Sequence, residues 1–531
     1  MGAAACSSSS DSVDDTSSEA EQGLSSGATY VENRTYDAED GLVGAAPVEA
    51  PASDSATTDA RSEPAEEATD GGFFAAEAAL AESAGTFQDY GVRPFVETSQ
   101  DPFSTFALDV DTGSYTVGRQ FLNNNQLPPA DSVRVEEYVN AFDYDYRAPA
   151  NGLGMEAEGG PSPFDADNVL VRVGVQAMEV ANEDRPDASL VFVVDTSGSM
   201  DRDNRLGLVR RSLDLLVREL DDDDTVAIVT YSSNAEVLLE PTSVRDEDTI
   251  LNAIRSLRPN GSTNLEAGLE KGYQLANEAY VSGGINRVVL ASDGIANVGL
   301  TDPTALSAMI RDDADEGIQL VTVGVGMTSY NDVVMEQLAD DGDGFYAYVD
   351  TDEEAAVLFG DELVGTLLTV AIDGKIQVEF NEATVSAYRL IGFENRAVLD
   401  NDFRNDAVDA GELGAGHQVS AVYELTLKSG VSARDTLGTA ALRWEDPDTG
   451  SVTESRLEIA ASVIEDRWQD TSDSYRLAVT VATFAEVLRD SPFAKEISLE
   501  QISAEADSLA STSGEASEFA ELVRQALRIS S

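Results

Sequence analysis

The residues best suited to chemistry lie at 195–199, where Asp195, Ser197 and Ser199 alternate in the run Asp-Thr-Ser-Gly-Ser. They follow the apolar stretch Leu190–Val194, so a buried strand would deliver three oxygen-bearing side chains to the turn at its end. Such oxygens can converge on one point, and a ring of small hard oxygens suits a divalent cation. Two further donors fall where strands should end. Thr263 lies in the loop Pro259–Asn264, just ahead of a helix, and Asp293 follows the expected strand Arg287–Ala291. The five residues offer two carboxylates and three hydroxyls. Two negative charges balance a divalent ion only formally and leave it electrophilic toward an incoming carboxylate. Mg2+ is the expected ion, with Mn2+ and Ca2+ as alternatives.

Such a site requires strands that all finish on one edge, and the surrounding pattern supplies them. From 189 to 366 strands and helices alternate, the mark of a parallel sheet covered on both faces. Strands are expected at Leu190–Val194, Val226–Tyr231, Arg287–Ala291, Gln319–Val325 and Phe345–Val349, with Glu236–Leu239 as a short edge strand. Helices are expected at Leu206–Leu220, Asp248–Leu257, Leu265–Tyr280, Pro303–Glu316 and Asp332–Ala339, and Glu353–Thr366 closes the unit. The fold class is therefore α/β: a doubly wound, mostly parallel, Rossmann-like sheet. In such sheets ligands bind beyond the carboxyl ends of the strands.

β-Sandwich and α-helical segments should flank this unit. Ser104–Val110 and Val169–Val175 read as strands, and Thr112–Leu122 and Val133–Phe142 as helices. Past Val370, short alternating strands suggest an antiparallel sandwich, followed by helices at Ser474–Arg489, Leu499–Ala510 and Glu515–Leu527. The expected division is a disordered acidic tether over 1–100, an α+β segment over 101–185, the α/β unit over 186–368, a β-rich segment over 369–466 and a helical segment over 467–531. Strand Val169–Val175 and the strands after Val370 are expected to build one sandwich, into which the α/β unit is inserted.

The Asp-x-Ser-x-Ser turn, the threonine of Gly-Ser-Thr-Asn and the Ser-Asp-Gly, in that order on strand–helix alternation, resemble the von Willebrand factor type A domain. The flanks narrow the resemblance. Phe106–Tyr115, Leu127–Asp131 and Val133–Glu137 upstream, and Leu488–Phe493 downstream, are similar to the YfbK-type bacterial lipoproteins. The resemblance implies a metal-ion-dependent adhesion site. Ser197, Ser199 and Thr263 would coordinate directly, Asp195 and Asp293 directly or through water, and a ligand's Asp or Glu would complete the octahedron. It implies a non-enzymatic adhesion module that binds a protein partner. An intracellular assembly factor working beside a separate AAA+ ATPase is the alternative, and a metal-dependent hydrolase is a third reading that lacks an evident general base.

Formal net charge is −66, with 99 acidic residues against 33 Lys and Arg. So large an excess repels itself at low ionic strength and is screened near 1 M salt, which points to a salt-adapted, halophilic surface. It excludes nucleic-acid partners, because no basic stripe exists to neutralise phosphates. Cys6 is the lone cysteine, so internal disulfides are impossible. Its setting, Ala3–Ala5 before and Ser7–Ser10 after, resembles the end of a bacterial lipoprotein signal, although Ala3 stands where that pattern has leucine and no apolar stretch precedes it. Lipidation of Cys6 would anchor the chain in the cell envelope, facing the periplasm or the exterior. Membrane contact is expected through that lipid alone, since no apolar run reaches the ~18 residues of a spanning helix.

Rival motifs are weaker. His417, the sole histidine, sits in an expected loop and argues against a Ser-His-Asp triad or a His-ligated zinc. Gly324-Val325-Gly326 lacks the third glycine of a dinucleotide fingerprint, and no lysine follows a P-loop pattern. Asp109–Ser114 echoes the 195–199 run but reads as a structural turn. Asp341-Gly342-Asp343-Gly344 and Asp350-Thr351-Asp352 hint at calcium, yet they lack the spacing of an EF-hand and read as solvated turns. Asp221–Asp224 ends a helix and reads as a solvated acidic face.

Overall fold

The computed structural model describes residues 29–31, 87–164, 168–293, 303–314, 316–326, 332–361, 363–447 and 449–531. At its centre lies a six-stranded sheet in the order Tyr346–Tyr348, Gln319–Gly324, Ile285–Ser292, Ala188–Asp195, Thr225–Tyr231, Ala235–Ser243. All neighbours are parallel except the last, where Ala235–Ser243 folds back antiparallel as an edge strand. Alternate residues of the central strand serve two cores. Leu190, Phe192 and Val194 pack with helices Arg205–Glu219 and Glu247–Ser256. Val191 and Val193 pack with helices Leu265–Glu278, Pro303–Ala314 and Asp332–Asp340. Both faces are covered, as a parallel sheet requires. Gly272 lets helix Leu265–Glu278 lie close to the sheet, because a Cβ there would meet Val193 Cγ2 at 2.4 Å.

Two antiparallel sheets form the sandwich, and both draw strands from either side of the α/β unit. In one, Val169–Ala177 pairs with Gln418–Leu427, which pairs with Val385–Ile391, which pairs with Val96–Glu97. In the other, Phe103–Ala107 pairs with Thr369–Phe380 beside Thr436–Asp446 and Ser451–Ala460. A third core joins helix Gly113–Asn123 to the C-terminal helices Asp473–Leu488, Leu499–Leu509 and Gly514–Ser530.

Several expectations are corrected. Strand Val96–Glu97 enters the sheet ahead of the expected start of order at Asp101, and Thr29–Val31 pairs with Leu153–Pro161. Leu153–Pro161 is a further strand that its sequence does not announce, because Gly154, Gly159 and Gly160 depress its β propensity. The closing helix is not continuous: Asp352–Ala356 passes into a π-helical turn at Val357–Asp361, and Leu363–Leu367 is a separate turn of helix. Asp224 is wholly buried rather than solvated. It takes both arms of Arg185 and accepts the amides of Ala188 and Asp221 at 2.7 Å, so it fixes where the central strand begins. Asp350 is likewise not a solvated turn residue, since it accepts from Arg119 Nη2 at 2.8 Å. Cys6 lies outside the described residues.

One buried network locks the flanks to the α/β unit. Arg396, from the segment after Val385–Ile391, places its guanidinium 3.3 Å from Asp109 Oδ2, 3.0 Å from Asp111 Oδ2, 3.1 Å from Glu336 Oε1 and 2.8 Å from Asp340 Oδ2. Its carbonyl accepts the amide of Ala107 at 2.9 Å. Asp111 also accepts the amide of Tyr346 at 3.0 Å, the first residue of the sheet's outer strand. Asp109–Ser114 is thus a structural turn, but a buried and charged one. Burial and the neighbouring Asp109 push the Asp111 carboxyl well above its ordinary range. Removing the arginine would leave several carboxylates buried without their counter-charge. Arg396→Met should therefore destabilise the chain by about 3–5 kcal/mol, read from denaturant unfolding at fixed high salt. A change within about 1 kcal/mol would show that the network carries little net weight.

Candidate metal centre

The strand order puts a topological switch between Ala188–Asp195 and Ile285–Ser292, since the chain leaves the first strand in one direction and returns on its other side. That is where a doubly wound sheet opens a crevice at its carboxyl edge. Asp195 ends one strand of the pair, and Asp293 directly follows the other. Both are fully buried, and each feels the other's charge.

Hydrogen bonds then shape the turn. Ser197 N donates to Asp195 Oδ1 at 2.7 Å, which folds the backbone over the carboxylate, and the Ser197 and Ser199 hydroxyls meet at 2.8 Å. Ser292 Oγ donates to Asp195 Oδ2 at 3.1 Å. The third loop is tied in through its backbone: Gly198 N donates to Gly261 O at 3.1 Å, Asn260 N to Thr196 O, and Asn264 N to Ser232 O at 2.7 Å. Gly261 makes this approach with φ of +82°, a conformation that favours glycine. Asn264 caps the following helix by accepting the amide of Ala267, and Thr263, 2% exposed, is held between these anchors. The structure therefore gathers the loops bearing Asp195, Ser197, Ser199, Thr263 and Asp293 at one edge. Gly294 lies outside the described residues.

Arg205 and Ser292 were not anticipated. Arg205 Nη1 donates to Asp293 Oδ2 at 2.7 Å, and the arginine is itself buried. A cation in the first turn of a helix opposes the macrodipole, and that misfit was the available signal. Asp293 Oδ1 is buried and has no hydrogen-bond partner among the described residues. One unbonded buried carboxylate oxygen, a second carboxylate and a pair of adjacent hydroxyls fit a hard divalent cation. His417 lines a separate cavity of about 700 Å3, where burial holds its imidazole down at about 4 and its Nδ1 accepts the amide of Gly414.

Burial, and then the charge of Asp293, push the Asp195 carboxyl up to about 7. A raised acid binds its proton more tightly folded than unfolded, so in chelator this group's contribution to stability falls as pH rises from about 4 to about 7. Asp195→Asn should remove that loss. In EDTA the variant is expected to melt above the wild type at pH 8 and to match it near pH 4. Parallel melting curves for the two proteins across that range would refute this electrostatic account.

Family models agree with this division of the chain. Three family models match in succession: "von Willebrand factor" over residues 81–172, "von Willebrand factor type A domain" over 189–361 and "Uncharacterized protein YfbK, C-terminal" over 365–529. The chain is 38% identical to YfbK of Escherichia coli K12 over 442 residues, covering 78% of this chain and 76% of that one. It is 24% identical to Synechocystis sll0103 over 286 residues, covering 53% and 67%. A solved von Willebrand factor type A structure from Catenulispora acidiphila aligns at 15% identity with a TM-score of 0.42, covering 72% of this chain and 91% of that one.

Proposed function

This chain belongs to the YfbK family of von Willebrand factor type A proteins, and we propose that it is a non-enzymatic, Mg2+-dependent adhesion module. Type A domains are in general protein-interaction modules, which supports the broad reading. The observation that carries the metal-dependent one is the unbonded Asp293 Oδ1, buried beside Asp195 at the switch point. Asp195, Ser197, Ser199, Thr263 and Asp293 are the residues that would hold the ion. Bound there, it supplies an electrophile for an Asp or Glu carboxylate of a protein partner.

The chain's own groups do the positioning. Arg205 fixes one oxygen of Asp293, and the other is buried with no hydrogen bond among the described residues. Ser292 and the Ser197 amide hold both oxygens of Asp195. The tie between Gly198 and Gly261 keeps the Thr263 loop in register with the turn. Lipid on Cys6 would place this module at the envelope, and no described helix is long and apolar enough to cross a membrane. With a net charge of −66, the chain repels any acidic partner at low salt, so capture should strengthen as salt rises toward the halophilic range this surface suggests.

The test is a pull-down from native envelope at high salt with wild type and Asp195→Ala, each with Mg2+ and with EDTA. A partner retained by the wild type in Mg2+ alone is the expected result. If the same proteins are retained under all four conditions, the adhesion reading is wrong. Intact mass of the chain from its native host tests the anchor separately, since an unmodified Cys6 would remove the envelope assignment.

A further inference from the structure

A second acidic gathering lies away from the type A site, where the α/β unit meets the sandwich. Asp343 sits in the turn between helix Asp332–Asp340 and strand Tyr346–Tyr348, while Asp409 precedes strand Gly411–Gly414 and Glu412 lies within it. One carboxylate oxygen from each lies within 4.8 Å of the other two. Oxygens on a shared ion about 2.4 Å away can be no farther apart than about 4.8 Å, the spacing that Ca2+ allows.

Acidic residues often cluster at a surface without an ion, but Glu412 does not fit that case. It is only 7% exposed, and among the described residues its side chain makes no hydrogen bond and no ion pair. Strand alternation explains its direction: Leu413 faces the sandwich core, so Glu412 points the other way, toward Asp343. A carboxylate buried to that degree without a partner is costly unless it is protonated or meets a cation.

Among the described residues no cation lies close enough to pair with Glu412, although the charge of the buried Arg287 acts on it from a distance. Arg311 pairs with Asp341. Arg287 donates to Leu367 O and Thr369 Oγ1. Lys375 donates to Asn405 O and lies 4.0 Å from Asp373.

We propose that Asp343, Asp409 and Glu412 form a Ca2+ site that clamps the type A unit to the sandwich, distinct from the type A site. Three carboxylates from two separately packed parts favour Ca2+ over Mg2+, because Ca2+ accepts irregular coordination by six to eight oxygens and Mg2+ demands a near-ideal octahedron. The remaining positions are left to backbone carbonyls and water. The clamp acts on the same interface as the Arg396 network but with a removable charge.

The test is calorimetric titration of the full, chelator-treated chain with Ca2+ alone at high NaCl. It compares wild type, Asp195→Ala, Asp409→Asn and the double variant. Asp409 is exposed, so Asp409→Asn is expected to fold normally, with circular dichroism as the check. Asp195→Ala should retain about one equivalent of Ca2+ and the double variant none, with affinity at this site falling about tenfold or more when one ligand charge is lost. Ca2+ should also raise the melting temperature of Asp195→Ala but not that of the double variant. An Asp195→Ala protein that binds no Ca2+, or a stoichiometry that Asp409→Asn leaves unchanged, would overturn the proposal.

Discussion

Arg396 brings a single guanidinium among Asp109, Asp111, Glu336 and Asp340, and these residues come from three stretches of chain far apart in sequence. A charge out of water is tolerable only when its counter-charges are in place, so the contact favours all partners arriving together. Its reach extends beyond the ion pairs. Asp111 also holds the first amide of the outer sheet strand, and the Arg396 carbonyl holds Ala107 at the end of a sandwich strand. The outer edge of the parallel sheet and the near edge of the sandwich are thereby set by one residue. Arg389 repeats the device between the sandwich and the C-terminal helices, reaching Glu424 at 3.0 Å and Glu486 at 2.9 Å.

The acidic gatherings of this chain differ chiefly in how much positive charge each is given. At the interface network Arg396 and Arg134 both reach into the carboxylates. At the type A edge one guanidinium pairs with Asp293 alone of the two buried aspartates, and the other oxygen of Asp293 has no hydrogen bond among the described residues. At the junction of 343, 409 and 412 the arginines and lysine nearby are occupied by other acceptors. Arginine and lysine are outnumbered three to one by acids, so positive charge cannot answer every acidic gathering. The remaining acidic positions are suited to exchangeable ions.

Much of the fold was legible from hydrophobic period alone. The strand at 188–195 and the helices at 205–219, 265–278 and 473–488 fall within two residues of their expected limits, because long periodic segments leave one way to bury their apolar faces. Legibility failed where a local rule met a tertiary demand. Leu153–Pro161 is a strand because both neighbours pair with it, despite its glycines. Asp224 looked like one more acid in a solvated run, yet Arg185, distant in sequence, draws it inward. The closing helix reads as continuous by composition, but it must turn into the sandwich strand at Thr369 and breaks before reaching it.

The sequence by itself determined which oxygens could serve a cation and on which edge they fall. Strand ends and the Asp-x-Ser-x-Ser spacing are local properties, and the winding of a parallel sheet is constrained by chirality and short connections. Only the tertiary structure decided how those oxygens are held: that Arg205 occupies one side of Asp293, that Ser292 holds Asp195, and that the Thr263 loop is joined through Gly261. It also decided that Asp343, expected as a solvated turn residue, faces Asp409 and Glu412 across an interface. The physical reason is that burial and partnership of charge depend on contacts between segments far apart in the chain, and no local pattern encodes which acid will meet which base.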